Sequence, residues 1–333
     1  MPPEAGTAAA PPEGAATAGA AGLIWYSHDR PGIRRRRRGR GWSYIAPDGT
    51  SVDAAGERAR IAALAVPPAY EDVWICPEAR GHLQATGRDA ARRLQYRYHP
   101  DWTTARAEVK FAALPAFGRA LPEVRDWIAR GLRAEPGSDD FATAMVLRLI
   151  DRASTRIGGP GGGGRGATTL RAADVRVRGR RVRLDYRAKG GVRARKSLDD
   201  AALARALHRA ADLPGATLAV RLGADGAPQP LRSEAVNARL ADLAGPGMTA
   251  KTFRTWNGTL AALECLLERD ASGIGAMADA AGQRLHNTPA VARRSYIHPA
   301  VAALAGAPPP RIGAGPRALG ASERVLMRVL EGS

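Results

Sequence analysis

A phenol oxygen can attack a phosphate where positive charge favours its ionised form, because a free tyrosine titrates only near pH ~10. Tyr296 is a candidate for such chemistry by its company, with Arg293 and Arg294 one helical turn or less before it in the stretch running from Gln283 to Pro299. Taken alone, Tyr296 reads better as an ordinary packing residue of an amphipathic helix, so the chemical reading requires further cations from elsewhere in the chain. The elements that must position it are legible. Thr288 followed by Pro289 makes a helix start, since the hydroxyl caps free amides and proline suits the first turn. Pro299 discourages helix beyond His298. The sequence therefore predicts a short helix carrying Tyr296 near its end.

The rest of the chain favours a polyanionic partner. Its 333 residues are 45% hydrophobic, enough to bury cores in two domains. The formal charge is +18 and the pI near 11.1. A basic surface gains free energy by releasing counterions condensed on nucleic acid, although a ribosomal or membrane-surface protein would share the charge. Only four of the 50 basic residues are lysines (Lys110, Lys189, Lys196 and Lys251) and 46 are arginines, which singles the lysines out. Two distant cysteines, Cys76 and Cys265, cannot build a disulfide scaffold or a thiolate metal site and suit a reducing cytoplasm. There is no apolar run of about 18 residues to span a membrane. The Ala/Gly/Pro-rich residues 1–22 lack the basic start and apolar centre of a signal peptide and read as a disordered tail.

Residues 23–105 read as β-rich. The run Arg34 to Arg38 is expected as a loop, either solvated or gripping phosphates. Val73–Cys76 and His82–Thr86 flank a Pro-Glu-Ala-Arg-Gly loop and read as a hairpin, and the alternation in Leu94–His99 puts Tyr96 and Tyr98 on one strand face and Gln95, Arg97 and His99 on the other. Residues 106–304 read as mainly helical, with Lys110, Phe111, Phe117 and Gly118 in a first helix and Leu121-Pro122 opening the next. A long helix from Asp139 or Asp140 leads to Arg156, which either balances the helix dipole or reaches into a site. Gly158 to Gly166 lacks the Gly-Lys-Ser/Thr ending of a phosphate-binding loop and reads as a flexible linker. Val175–Tyr186 forms a basic hairpin, with Lys189 in the following turn. Lys251, Arg254 and Thr255 share a helix face by their spacing. Residues 305–333 are expected as a Pro/Gly/Ala-rich tail with a short helix from Ser322 to Leu330.

Several ordered blocks carry a resemblance: Trp74-Ile-Cys, Gly81-His-Leu-Gln-Ala-Thr-Gly-Arg-Asp89, Gln95-Tyr-Arg-Tyr-His99, Leu147–Gly158, Ala250-Lys-Thr-Phe-Arg-Thr-Trp256, and Asn287-Thr-Pro through Tyr296. Together they resemble the type IB DNA topoisomerases of the bacterial and poxvirus kind, over roughly Trp42 to Val301. The resemblance implies an α+β protein: a small β-rich N-terminal domain and a larger, mainly α-helical C-terminal catalytic domain containing a short β-hairpin region, forming a clamp around double-stranded DNA. It implies Tyr296 as nucleophile, Arg156 and Arg254 on the phosphate oxygens, Lys189 as general acid and Asn287 as a neutral donor. Poxvirus members carry histidine at the Asn287 position; His286 is adjacent but off register. Gln95, Tyr96, Tyr98 and Lys251 fall on DNA-contact positions. The implied reaction relaxes supercoils of either sign through a 3′-phosphotyrosyl link, with no cofactor, neither ATP nor metal, in a cytoplasmic, nucleoid-associated monomer.

Three departures from the family pattern stand out. The glycine-rich stretch replaces polar residues, Arg92 stands where glycine is expected, and Ala113 where arginine is expected. Two other readings share parts of the pattern. A tyrosine recombinase uses the same Arg, Lys, Arg and Tyr roles but has His-x-x-Arg where this chain has Lys251-x-x-Arg254. A non-enzymatic basic DNA-binding protein would leave Tyr296 dispensable.

Overall fold

The computed structural model describes residues 13–159, 163–268, 273–308, 310 and 318–332. The chain divides into two compact units, Met1–Val109 and Lys110–Ser333. In the first unit, α1 (Glu13–Ala20) precedes β1 (Ile33–Arg38), β2 (Gly41–Ile45), α2 (Ala55–Ala63), β3 (Glu71–Ile75), β4 (Leu83–Arg88) and β5 (Leu94–Tyr98). The strands form one antiparallel sheet in the order β2-β1-β3-β4-β5. Ile33, Val52, Ile61, Val73, Ile75 and Ala85 fill its core.

Two sequence expectations are corrected here. The arginine run is not a loop but the strand β1, paired on both sides. Strand alternation turns Arg35 inward, where its guanidinium lies 4.1 Å over the Trp42 ring and donates to the carbonyls of Val66, Pro67 and Tyr70 at 3.2, 3.1 and 2.6 Å. These acceptors and the indole offset the crowding of charge. The second correction concerns residues 13–22, part of the expected disordered tail. Gly14 and Ala18, one turn apart, give α1 a smooth face. A Cβ on Gly14 would strike the Trp25 ring, and Ala18 is fully buried with Leu23 and Trp102. The first twelve residues of that tail lie outside the described residues.

α3 (Pro100–Ala112) runs across the division, and the second unit continues with α4 (Leu114–Gly131) and α5 (Asp139–Ala153). Leu121-Pro122 does not open a helix; Pro122 sits inside α4. A proline there loses one backbone bond, but the stripe Leu114, Phe117, Leu121, Val124 and Ile128 is fully buried and carries the helix through. Ser138 caps α5, accepting from the Phe141 amide at 3.2 Å.

A three-stranded antiparallel sheet follows: β6 (Val175–Arg178), β7 (Arg181–Arg187) and β8 (Arg193–Asp199). Next come α6 (Ala201–Ala211), the short pair β9 (Val220–Leu222) and β10 (Pro228–Pro230), and α7 (Ser233–Ala244). The helices α8 (Ala250–Glu268), α9 (Ile274–Leu285), α10 (Pro289–Tyr296), α11 (Pro299–Ala302) and α12 (Ala321–Glu331) complete the unit. Far from trailing, α12 buries Val325, Leu326 and Leu330. Its Glu323 pairs with Arg125 at 2.8 Å, and Arg125 also holds Asp151 at 3.0 Å. Among the described residues no helix is long and apolar enough to cross a membrane.

Candidate active site

The site grows from helix ends that need partners. A helix leaves its last carbonyls without internal donors, and Arg254, projecting from α8 and only 4% exposed, supplies them to two helices at once. One terminal nitrogen donates to the Ser154 carbonyl just past α5, and the other donates to Leu285 O at the end of α9 at 3.0 Å. Its Nε, also buried, has no partner among the described residues. Ser154 takes the left-handed conformation with φ of 50°, and Asn257 of α8 holds it by donating to Ser154 Oγ at 3.0 Å and Asp151 O at 2.9 Å. Beyond this turn the chain is extended and delivers Arg156 to Asn287, with Arg156 Nη2 donating to Asn287 Oδ1 at 2.6 Å. A guanidinium can only donate, so Asn287 must present its oxygen there. The Asn287 Nδ2 is a second buried donor without a partner among the described residues.

Tyr296 arrives as the sequence predicts, on a helix capped by Thr288 and ended before Pro299. Its own carbonyl accepts from Thr259 Oγ1 of α8 at 3.0 Å. Close approach to α8 requires Gly258, where a Cβ would lie 2.9 Å from both Tyr296 Cβ and Tyr296 O. The Arg254 guanidinium carbon is 5.3 Å from the centre of the Tyr296 ring. Burial works to raise the phenol's pKa. Arg254, through charge and a hydrogen bond, with Arg156 and Lys251 adding charge, outweighs it and holds Tyr296 below the ordinary tyrosine value. Arg254 itself is pushed down by burial, Tyr296 opposing that shift and Arg156 adding to it.

Arg293 and Arg294, the cations nearest Tyr296 in sequence, are exposed and are not the ones that bear on it; Arg254, Arg156 and Lys251 are. Lys251 is exposed in the first turn of α8. Lys189 lies in an exposed turn between β7 and β8, where Gly190 and Gly191 have φ of 79° and 75°.

The stretch expected as a flexible linker connects the Lys189 turn with Arg156. Residues 160–162 of it are outside the described residues and Gly163 stands in open space, but Gly158, Gly164 and Gly166 are tightly packed. A Cβ on Gly164 would collide with the backbone of Ala188 and Lys189, and one on Gly166 with Arg156 O and Gly158. Arg165 N donates to Arg187 O at 2.7 Å and Ala167 N to Arg156 O at 2.8 Å. Glycine is needed for contact at Gly164 and Gly166, which corrects the linker reading at those positions.

One member of the cluster escapes sequence reasoning. Tyr186 on β7 is buried within reach of the charges of both Arg254 and Arg156, yet burial dominates and its pKa is raised. Its inward position in the alternating strand is the only signal the sequence offers. His286, beside Asn287, takes a left-handed conformation with φ of 49° and is lowered in pKa by burial and by Lys196. In the first unit, Tyr96 and Tyr98 are each 46% exposed, stacked 6.0 Å apart and parallel within 9°. Gln95 donates to Asp89 at 2.9 Å. Arg92, at the expected glycine position, has φ of 56°, and Asp89 accepts from the amides on both sides of it. Among the described residues no group of three or more His, Cys, Asp or Glu is placed to hold a metal ion.

Comparison with known proteins decides the family. Residues 41–89 match the bacterial DNA topoisomerase IB N-terminal domain, and residues 100–295, more than half of the chain, match the eukaryotic DNA topoisomerase I catalytic core. The chain belongs to the type IB DNA topoisomerases. This topoisomerase is also similar to the DNA topoisomerase 1B of Acanthamoeba polyphaga mimivirus, with 22% identity over 289 residues covering 81% of this chain and 86% of the viral one. As a type IB enzyme it acts on DNA, which accounts for the basic charge and separates it from both the recombinase and the non-enzymatic readings.

Proposed function

We propose that the enzyme relaxes supercoiled DNA of either sign by transient cleavage of one strand at Tyr296. The phenol releases its proton to solvent and its oxygen attacks a backbone phosphorus, forming a 3′-phosphotyrosyl ester as the bond to the 5′-oxygen breaks, and Lys189 gives that oxygen a proton. The broken strand rotates, and the 5′-hydroxyl then attacks the phosphotyrosyl ester, releasing Tyr296. One ester replaces another at each step, so the chemistry balances without ATP or a metal ion.

The observation that carries this reading is the pairing of a phenol of lowered pKa with two buried donors in the same cluster, Arg254 Nε and Asn287 Nδ2, that have no partner among the described residues. A buried donor without an acceptor costs roughly 1–3 kcal/mol, a cost that a phosphate oxygen would relieve. Arg156 and Arg254 would neutralise the non-bridging oxygens where transition-state charge gathers, and Asn287 would add a neutral bond. The exposed Tyr96 and Tyr98, with Gln95 beside them and Lys251 on α8, would contact the duplex.

Relaxation of negatively supercoiled plasmid in EDTA without ATP tests the proposal, comparing wild type with Tyr296→Phe. Relaxation by wild type alone is expected. Equal relaxation by the variant would remove Tyr296 as nucleophile, and a requirement for added metal or ATP would remove the proposed mechanism.

A further inference from the structure

The four lysines of this arginine-rich chain divide into two pairs. Lys189 and Lys251 are exposed, whereas Lys110 and Lys196 are half-buried and point at helix ends. Lys110 donates to Ser295 O at 2.9 Å, the carbonyl immediately before Tyr296 at the end of α10. Lys196, on β8, donates to Arg284 O at 2.6 Å, near the end of α9 and three residues before Asn287. The segment between these two carbonyls contains Asn287 and all of α10 up to the residue before Tyr296. Arg254 takes the intervening Leu285 carbonyl, so each donor fills a different orphan of the same two helix termini.

We infer that Lys110 and Lys196 are positioning residues that fix the two ends of the Asn287–Tyr296 segment, so that the phenol and the Asn287 amide are held in register with Arg254 and Arg156. The inference rests on Tyr296 being the nucleophile. Lys110 reaches from the α3 end with its ammonium 3.9 Å from the Phe111 ring centre, and Phe111 in turn packs edge-on against His298 at 5.3 Å, just past Tyr296. Lys196 comes from the strand that follows the Lys189 turn, so one β8 strand links the proposed general acid to the end of α9.

The choice of lysine over arginine has a physical reason. Lys196 faces Arg254 of α8 and Arg284 and His286 at the end of α9, and burial together with the charges of Arg254 and Arg284 lowers its pKa to about 7. Lys110 faces Lys251 of α8 and His298, and burial with Lys251 lowers it to about 8. A lysine can shed its proton in such surroundings and still donate to a carbonyl, whereas an arginine would stay charged.

The experiment is single-turnover cleavage of a short duplex whose cut end diffuses away, at saturating DNA, with the covalent adduct mapped in wild type. Lys110→Met and Lys196→Met keep the aliphatic stem and remove the donor. Each is expected to slow cleavage per folded molecule on the order of 10- to 100-fold, with DNA affinity within about threefold of wild type. Religation from the preformed adduct should slow in parallel, because Tyr296 is the nucleophile in one direction and the leaving group in the other. Lys110→Arg, which restores a donor but keeps its charge beside Lys251, should recover part of the Lys110→Met loss. Wild-type rates in both methionine variants would overturn the inference, as would loss of affinity alone with normal cleavage at saturation. If a methionine variant proves unstable, failure of Lys110→Arg to exceed Lys110→Met among folded molecules overturns the Lys110 role. A wild-type adduct mapped to a residue other than Tyr296 would instead break the reading on which the inference rests.

Discussion

Tyr96 and Tyr98 in the first unit stand half out of the surface and stack on each other at 6.0 Å; Tyr186 and Tyr296 in the second are buried, at 5% and 7% exposure, and both feel Arg156 and Arg254. Exposure distinguishes the pairs in what they can touch: an exposed stacked pair offers flat faces to bases, and a buried phenol meets only what enters its pocket. Within the buried pair, burial is the same opposing force, and the outcome differs because Tyr296 also has a hydrogen bond from Arg254 and the charge of Lys251. Tyr186 has Asp174 working against ionisation instead. A cation nearby is therefore not enough to activate a tyrosine; the balance of charge and direct contact decides.

The sharpest way to break this comparison is to delete each buried hydroxyl in turn. Tyr296→Phe keeps the ring packing and should reduce plasmid relaxation on the order of 10⁴-fold or more, whereas Tyr186→Phe should stay within about tenfold of wild type in the same assay. Lys189→Ala should lower the single-turnover cleavage rate by roughly 10²- to 10⁴-fold, the range of a lost general acid, with DNA binding retained.

Lys251→Ala sharpens the electrostatic side of the comparison. Lys251 helps hold the Tyr296 pKa down, so its loss raises that pKa, and the rise of cleavage rate with increasing pH should move to higher pH. An unmoved profile would mean that Lys251 does not bear on Tyr296. In the first unit, Tyr98→Ala should weaken DNA binding by about 1–3 kcal/mol, the worth of one stacked base, measured by fluorescence anisotropy at fixed salt. The cleavage rate at saturating DNA should be unchanged. The smallest effect is expected from Arg92→Gly, which relieves a left-handed conformation held by Asp89 contacts, a hydrogen bond from Arg88 to the Arg92 carbonyl at 3.1 Å and a loose surface pair with Glu71 at 3.4 Å. It should raise unfolding stability by about 1 kcal/mol in denaturant titration.

What could be read from the sequence was what short-range chemistry fixes. Thr288-Pro289 and Pro299 bound α10, and the alternation of Leu94–Tyr98 put its tyrosines on one face. Pairings over long separations could not be read this way. Arg254 finds Ser154, 100 residues away, and Leu285, 31 away, and nothing local to Arg254 names either carbonyl. The adjacent Arg293 and Arg294 drew attention by proximity in sequence, yet a helix places them on its outer side. Composition misled in a different way. Five consecutive arginines read as a loop because their repulsion is visible in sequence and the Trp42 face and three carbonyls that absorb Arg35 are not. Glycine richness likewise suggested slack between Arg156 and Lys189, where Gly164 and Gly166 instead allow two backbones to touch.

The most direct test of the account is to trap the covalent intermediate on a duplex whose cut strand cannot be rejoined, digest the protein, and locate the nucleotide-bearing peptide by mass spectrometry. The account predicts one modified residue, Tyr296, joined to a 3′-phosphate, with Tyr186 unmodified. A link at Tyr186, or at the 5′-phosphate of the broken strand, would contradict it.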